Sequence, residues 1–225
     1  MTELIMFVPT RGRVDNAARF MLACKELNRA NTLVMFGVDE DDPDLPAYRE
    51  TGAQIEVVEP RGPGMVGALN QLAERYAGQA ACLGFAGDDH CPRTVGWDQR
   101  LCDAIESMGG GVAYGNDLIQ GPNLATAVVM DARIPATLGY MAPPTLQHLY
   151  VDNVWLDWGR GLGRLAYRND VVIEHLHPLV DKADNDERYE LVNNGGMFGR
   201  DEATYREYLA GGLEADLERL RVVIS

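Results

Sequence analysis

Serine is nearly missing from this chain: in 225 residues it occurs only at Ser107 and Ser225. Neither lies in a GxSxG elbow, which excludes the serine-nucleophile hydrolysis built on that turn. The four cysteines, Cys24, Cys82, Cys91 and Cys102, form no CxxC pair. A disulfide framework is not expected, and Cys24, Cys82 and Cys102 read as core thiols. No apolar run approaches the roughly 20 residues that cross a bilayer, so no membrane partner is expected. The opening MTELIMFVPTRGR lacks the basic n-region and cleavage site of a secretory signal, which leaves the cytoplasm as the expected compartment. Two phosphate-binding signatures are also missing. GxxxxGK[ST] is absent, and no GxGxxG follows the first apolar run. There is no internal repeat and no low-complexity linker.

Positive charge is scarce too. The net charge is −14 and the pI about 4.6. Such a field disfavours non-specific binding to nucleic acid or anionic lipid. The arginines that exist are concentrated: Arg11 and Arg13 stand together, and Arg61 sits in its own glycine-rich loop. That distribution suits a small anionic ligand better than a polyanionic surface. With 46% hydrophobic and 24% charged residues, the composition fits one globular domain.

Short apolar runs alternate with helical periodicity. Leu4–Val8, Thr32–Val38, Ile55–Val58 and Ala81–Phe85 read as strands. Helices are expected from about Val14 and over the stretch that buries Met65, Leu69, Leu72 and Tyr76. Continuous apolar strands interleaved with helices predict an α/β, Rossmann-like, mostly parallel sheet with helices on both faces. Ligands of such sheets bind outside the carboxyl ends of the strands. Thr10–Arg13, Asp39, Arg61 and Asp88–His90 all fall there. The second half is less regular. Strands are expected near 112–114, 125–130 and 171–177, a helical or looped stretch at 143–158, and a loop at Gly159–Gly163. Asp181–Asp186 reads as polar and mobile. An amphipathic helix over 201–220 uses Tyr205, Tyr208, Leu209, Leu213 and Leu217.

Chemistry gathers at Gly87-Asp88-Asp89-His90, which ends the fourth strand. Adjacent carboxylates repel, and a divalent cation such as Mg²⁺ or Mn²⁺ is the usual compensation for oxygen ligands beside an imidazole. His175 and His177 share a strand face if that strand runs on to His177. Pro9-Thr10-Arg11-Gly12-Arg13 lies between a strand and a helix N-terminus, a ready anion site.

These residues together resemble a GT-A-fold nucleotide-sugar glycosyltransferase, of the small single-domain kind also found in phages. The likeness is carried by the Pro9–Arg13 turn, the strand ending at Asp39, Arg61-Gly62-Pro63-Gly64-Met65 before the next helix, and Gly-Asp-Asp-His, which resembles the DXD motif. The resemblance implies a GT-A-like single domain, with residues 1–100 as its nucleotide-binding half, 101–200 as its acceptor and catalytic half, and 201–225 as a C-terminal helix. It implies that Thr10, Arg11 and Asp39 hold the nucleoside, that Arg61 and Gly64 approach the base or diphosphate, and that Asp88 faces the ribose or sugar. Asp89 would bind Mn²⁺ or Mg²⁺ with His175, or second with His177. The first and third positions of a strict DXD are acidic, so either His90 is also a ligand or Asp89 serves alone. Asp152 resembles the catalytic base of inverting members. Trp97, Trp155 and Trp158 could stack on a sugar face.

The function implied is transfer of a sugar, from a UDP-sugar by preference, to a hydroxyl on a small molecule, a protein or a modified DNA base. A phage-encoded enzyme would work in the host cytoplasm, and a homo-oligomer is left open. The alternatives are a sugar-1-phosphate nucleotidyltransferase, weakened by the lack of lysine between Thr10 and Arg19, and a non-catalytic nucleotide- or sugar-binding module.

Overall fold

The computed structural model describes residues 2–60, 64–176 and 195–224. The first half runs β1 (Thr2–Thr10), α1 (Val14–Leu27), β2 (Thr32–Asp39), a short α2 (Leu45–Tyr48), β3 (Gln54–Val58), α3 (Val66–Tyr76) and β4 (Ala80–Phe85). The second half adds β5 (His90–Pro92), α4 (Trp97–Ser107), β6 (Val112–Asn116), β7 (Val128–Asp131), α5 (Arg133–Leu138), α6 (Val151–Leu162) and β8 (Leu165–His175). After the undescribed residues come α7 (Gly195–Glu207), a π-helical turn (Tyr208–Gly212) and α8 (Leu213–Val223).

The strands form one sheet in the order β3-β2-β1-β4-β7-β6-β8-β5. β3, β2, β1 and β4 are mutually parallel, and β6 pairs parallel with β8. β7 runs antiparallel between β4 and β6, and β5 antiparallel to β8. The continuous apolar strands are explained by cover on both faces. In β1, Ile5 and Phe7 enter one core with α3 and α6, while Leu4, Met6 and Val8 enter the other with α1 and α4. Alternation by two thus splits one run of buried residues between two layers. Parallel pairing also fixes where the loops go: Thr10 sits opposite Val38, and Phe7 opposite Phe85. The loops after β1, β2 and β4 therefore leave the sheet on the same edge.

Three expectations need correction. Gly159–Gly163 is not a loop: Gly159 and Gly161 lie inside α6. A Cβ on Gly159 would come 2.6 Å from Leu165, and one on Gly161 2.4 Å from Leu217. These glycines let the helix press against β8 and α8, and only Gly163, at φ +66°, ends it as a left-handed cap. The C-terminal helix is not continuous. The π turn shifts its register, so Tyr208 is buried while Leu209 is 43% exposed. The strand expected to reach His177 ends at His175. The stretch Asp181–Asp186 lies outside the described residues. No described helix is long and apolar enough to cross a membrane.

One buried carboxylate fixes the edge of the sheet away from the loops above. Asp98 is fully buried and accepts hydrogen bonds from the Arg29 and Ala30 amides and from Thr32 Oγ1, joining α4 to the start of β2. Asp98→Ala orphans three donors at once and is expected to lower the unfolding free energy by about 3 kcal/mol, measured by urea denaturation.

Candidate active site

The first wall of the site is built by the ends of β1 and β2. Arg11 is pinned by Asp39, at 2.9 Å, and by Asp41. The Gly12 amide donates to Asp42 Oδ2 at 2.9 Å, and the Arg13 amide to the Tyr48 hydroxyl at 2.8 Å. Gly12 adopts φ +65°, which a side-chain-bearing residue would hold only with strain. The acidic loop after β2 thus folds the Thr10–Arg13 turn onto itself, and two arginines are held beside the helix N-terminus of α1.

The corner after β4 sends its two carboxylates to different partners. Asp88 is buried. Thr10 Oγ1 donates to its Oδ2 at 2.6 Å, and Arg13 Nη1 reaches Oδ1 at 3.3 Å. Burial, followed by the charge of Asp89, pushes the Asp88 carboxyl up; Thr10 and Arg13 oppose this without cancelling it. Asp89 lies between two imidazoles: its Oδ1 is 3.2 Å from His90 Nδ1 and its Oδ2 3.3 Å from His175 Nε2. Burial works against its charge, but His175 and His90 outweigh it and hold Asp89 well below the usual carboxylate range. The two rings come together because His90 on β5 pairs with His175 on β8, and they stack at 4.3 Å. Burial and the neighbouring His175 push the His90 imidazole down, toward its neutral form. Gly87 stands where a strict DXD has its first acid, close against the Asp89 carboxylate. A Cβ there would stand 2.5 Å from Asp89 Oδ1.

One carboxylate and two imidazoles offer ligand atoms all within 4.8 Å of one another. His90 Nε2 is buried and has no hydrogen-bond partner. An oxygen–nitrogen–nitrogen donor set beside an unsatisfied buried nitrogen fits a divalent cation of the Mn²⁺ type.

The opposite wall comes from the second half. Asp117 accepts three backbone N–H groups, from Ile119, Gln120 and Gly121, and so rolls up the turn before β7. Tyr150 precedes α6 and stacks on Tyr205 at 5.2 Å. Leu118 and Tyr150 hold φ of +64° and +65°; Tyr150 lines the cleft, and Leu118 directly precedes its lining residues Ile119 and Gln120. Left-handed backbone at bulky residues concentrates where the surroundings impose a geometry. Asp152 lies in the first turn of α6. Burial pushes its carboxyl up to about 6, only partly offset by the Asn153 amide. Asp201, fully buried on α7, accepts the Gln147, His148 and Leu149 amides and holds the loop before α6.

Between the walls lies a cleft of about 370 Å³, large enough for a small ligand. The structure brings Pro9, Thr10, Arg11, Arg13, Asp39, Gly64, Asp88, Asp89, Asp152 and His175 to its lining. Gly12 is not a lining residue; its amide ties the turn to Asp42. Trp97 is corrected: it is fully buried among α1, α4 and β1, its Nε1 donates to Asn28 at 2.9 Å, and it does not reach the cleft. Trp158 is likewise core, and Trp155 contributes to the cleft floor. Arg61 and His177 lie outside the described residues. Sequence reasoning missed Tyr48, Tyr150 and Asp201. Of these only Tyr150 carried a visible signal, since it directly precedes the Val-Asp-Asn run at Asp152.

No protein-family model and no curated protein sequence matches this chain. Solved structures do. Glucosyl-3-phosphoglycerate synthase from Mycobacterium tuberculosis, in complex with Mn²⁺, UDP and glucosyl-3-phosphoglycerate, matches with a TM-score of 0.66 at 14% identity, over 92% of this chain and 79% of that one. The mannosyltransferase PcManGT from Pyrobaculum calidifontis, in complex with GDP-Man and Mn²⁺, matches at 0.60 and 12% identity, over 98% and 80%. A fragment of S. aureus TarS in complex with UDP matches at 0.60 and 11%, over 76% of this chain and 59% of that one. The protein has the GT-A glycosyltransferase fold.

The elevated Asp152 carboxyl has a measurable consequence. Its folded value, about 6, lies above the ordinary 3.8, so the folded state carries an unfavourable charge above pH 6 and is relieved as pH falls. Asp152→Asn is expected to stabilise the ligand-free protein at pH 8 by about 2–3 kcal/mol, with most of the gain kept at pH 6 and most of it lost by about pH 4. Urea titrations at the three pH values check this.

Proposed function

We propose that this protein is a divalent-metal-dependent glycosyltransferase that moves a sugar from a nucleotide-sugar, a UDP-sugar by preference, to an acceptor hydroxyl. The observation that carries the reading is Asp89 set between His90 and His175, with Asp152 lining the same cleft. The GT-A fold and the Mn²⁺- and nucleotide-bound neighbours support it.

The roles follow from what each group can do. Asp39, exposed to the cleft, accepts a hydrogen bond from the base, with Arg11 beside it. Arg13 supplies positive charge near the diphosphate, and Arg61 is assigned the same role. Asp88 is locked by Thr10 and Arg13, so its orientation toward a ribose or sugar hydroxyl is preset. Asp89 and His175 would hold Mn²⁺ or Mg²⁺, with His90 as a third ligand. The cation, when bound, supplies Lewis-acid stabilisation of the departing diphosphate. Asp152 accepts the proton of the acceptor hydroxyl as that oxygen bonds to the anomeric carbon and the carbon–phosphate-oxygen bond breaks. With Asp152 as the base that deprotonates the acceptor, the proposed reaction is inverting. The acceptor class, whether small molecule, protein or modified base, belongs to the same proposal, as does a cytoplasmic setting.

Calorimetric titration tests the donor half. UDP or GDP is expected to bind with Mn²⁺ present, and Asp89→Asn to lose that metal-dependent binding. Absence of nucleotide binding by the wild type under either condition overturns the reading. Turnover tests the other half. Asp152→Asn is expected to lower kcat by about 10²–10⁴ with nucleotide affinity kept. The wild-type rate should rise with pH through about 6 as Asp152 loses its proton. A retaining reaction would leave the rate indifferent to that substitution, and a binding module would bind nucleotide without turnover.

A further inference from the structure

Asp201 lies far along the chain from every motif above, yet its carboxylate is wholly buried and its bonds all go to one loop. Oδ1 accepts the Gln147 amide at 3.1 Å, and Oδ2 the His148 and Leu149 amides at 2.8 Å each. That loop faces both lips. In one direction the Gln147 carbonyl accepts the Val66 amide at 3.1 Å, at the start of α3. Gly64 packs so closely there that a Cβ would come 2.0 Å from the same carbonyl oxygen. In the other direction the loop runs straight into Tyr150, left-handed at φ +65°, and then Asp152. A second link from α7 reinforces the first: Arg200 Nη1 donates to the Gln147 side-chain oxygen at 3.2 Å.

We infer that Asp201 is a positioning residue that sets the two lips together: by fixing the 147–149 backbone it places the Gly64–Val66 turn on the donor side and Asp152 on the acceptor side. Three N–H groups on one carboxylate leave the loop little freedom, and the shared Gln147 carbonyl passes that rigidity to α3. The inference rests on the transferase reading only for what the lips bind. The coupling itself is a property of the fold.

The conservative variant Asp201→Asn keeps the size and loses the charge that three donors address. It is compared with Asp216→Asn. Asp216 is also buried, on α8, but it serves Tyr140 and Tyr208 in the core and not this loop. Both variants should lower the thermal midpoint. Only Asp201→Asn should raise amide hydrogen exchange at Val66 as well as at 147–149, by about tenfold. Only it should weaken Mn²⁺-dependent UDP binding, by about tenfold. Gly64→Ala, which strains the same contact from the other side, should reproduce both effects if Asp201→Asn fails to fold. Unchanged exchange at Val66 in a folded Asp201→Asn, or equal effects from Asp216→Asn, overturns the coupling. If the wild type binds neither UDP nor GDP, the transferase reading fails, while the exchange comparison still decides the role of Asp201.

Discussion

Two neighbouring carboxylates, Asp88 and Asp89, are drawn into the protein at one strand corner, and the rest of the site is arranged around compensating them separately. Asp88 turns toward Thr10 and Arg13 and Asp89 toward His90 and His175. Adjacent charges that shared one set of partners would leave one of them uncompensated in a low-dielectric setting. Splitting the partners ties four pieces of chain together. The Asp88 side binds β1 to β4, and the Asp89 side binds β4 to the β5–β8 pair.

That arrangement depends on the layered sheet beneath it. Strands β1, β2 and β4 are parallel, so their loops share an edge, while antiparallel β7 lets the second half return and form the facing wall. The two walls differ in character. The first holds arginines against acidic partners beside the start of α1, with the Gly12 and Arg13 amides engaged by Asp42 and Tyr48. The second is largely apolar and aromatic, with Asp152 lining it and Tyr150 in left-handed backbone. In the proposed reaction the first wall would take the anionic donor and the second the group whose proton is removed.

Much of this could be read from residue order. The apolar runs of the first half and the helical spacing between them locate four strands and two helices, and parallel topology then predicts that Thr10–Arg13, Asp39 and Asp88–His90 meet. His175 was legible as a histidine at a strand end. His90 remained open, because its part depends on a cross-strand partner 85 positions away, seen only in the pairing with His175. Trp97 was misplaced because an aromatic near a motif looks alike in sequence whether it faces a ligand or the core. Gly159 and Gly161 read as a loop because glycine signals either a turn or close helix packing, and only the positions of Leu165 and Leu217 decide which. Asp201 carried no signal at all, since its partners are backbone amides, which every residue offers.

The most direct test of the central claim is anomalous diffraction from crystals grown with Mn²⁺ and UDP. The account predicts a manganese peak at the Asp89, His90 and His175 cluster, with the diphosphate beside it and the uracil beside Asp39. A manganese peak elsewhere, or a nucleotide bound away from this cleft, would contradict it.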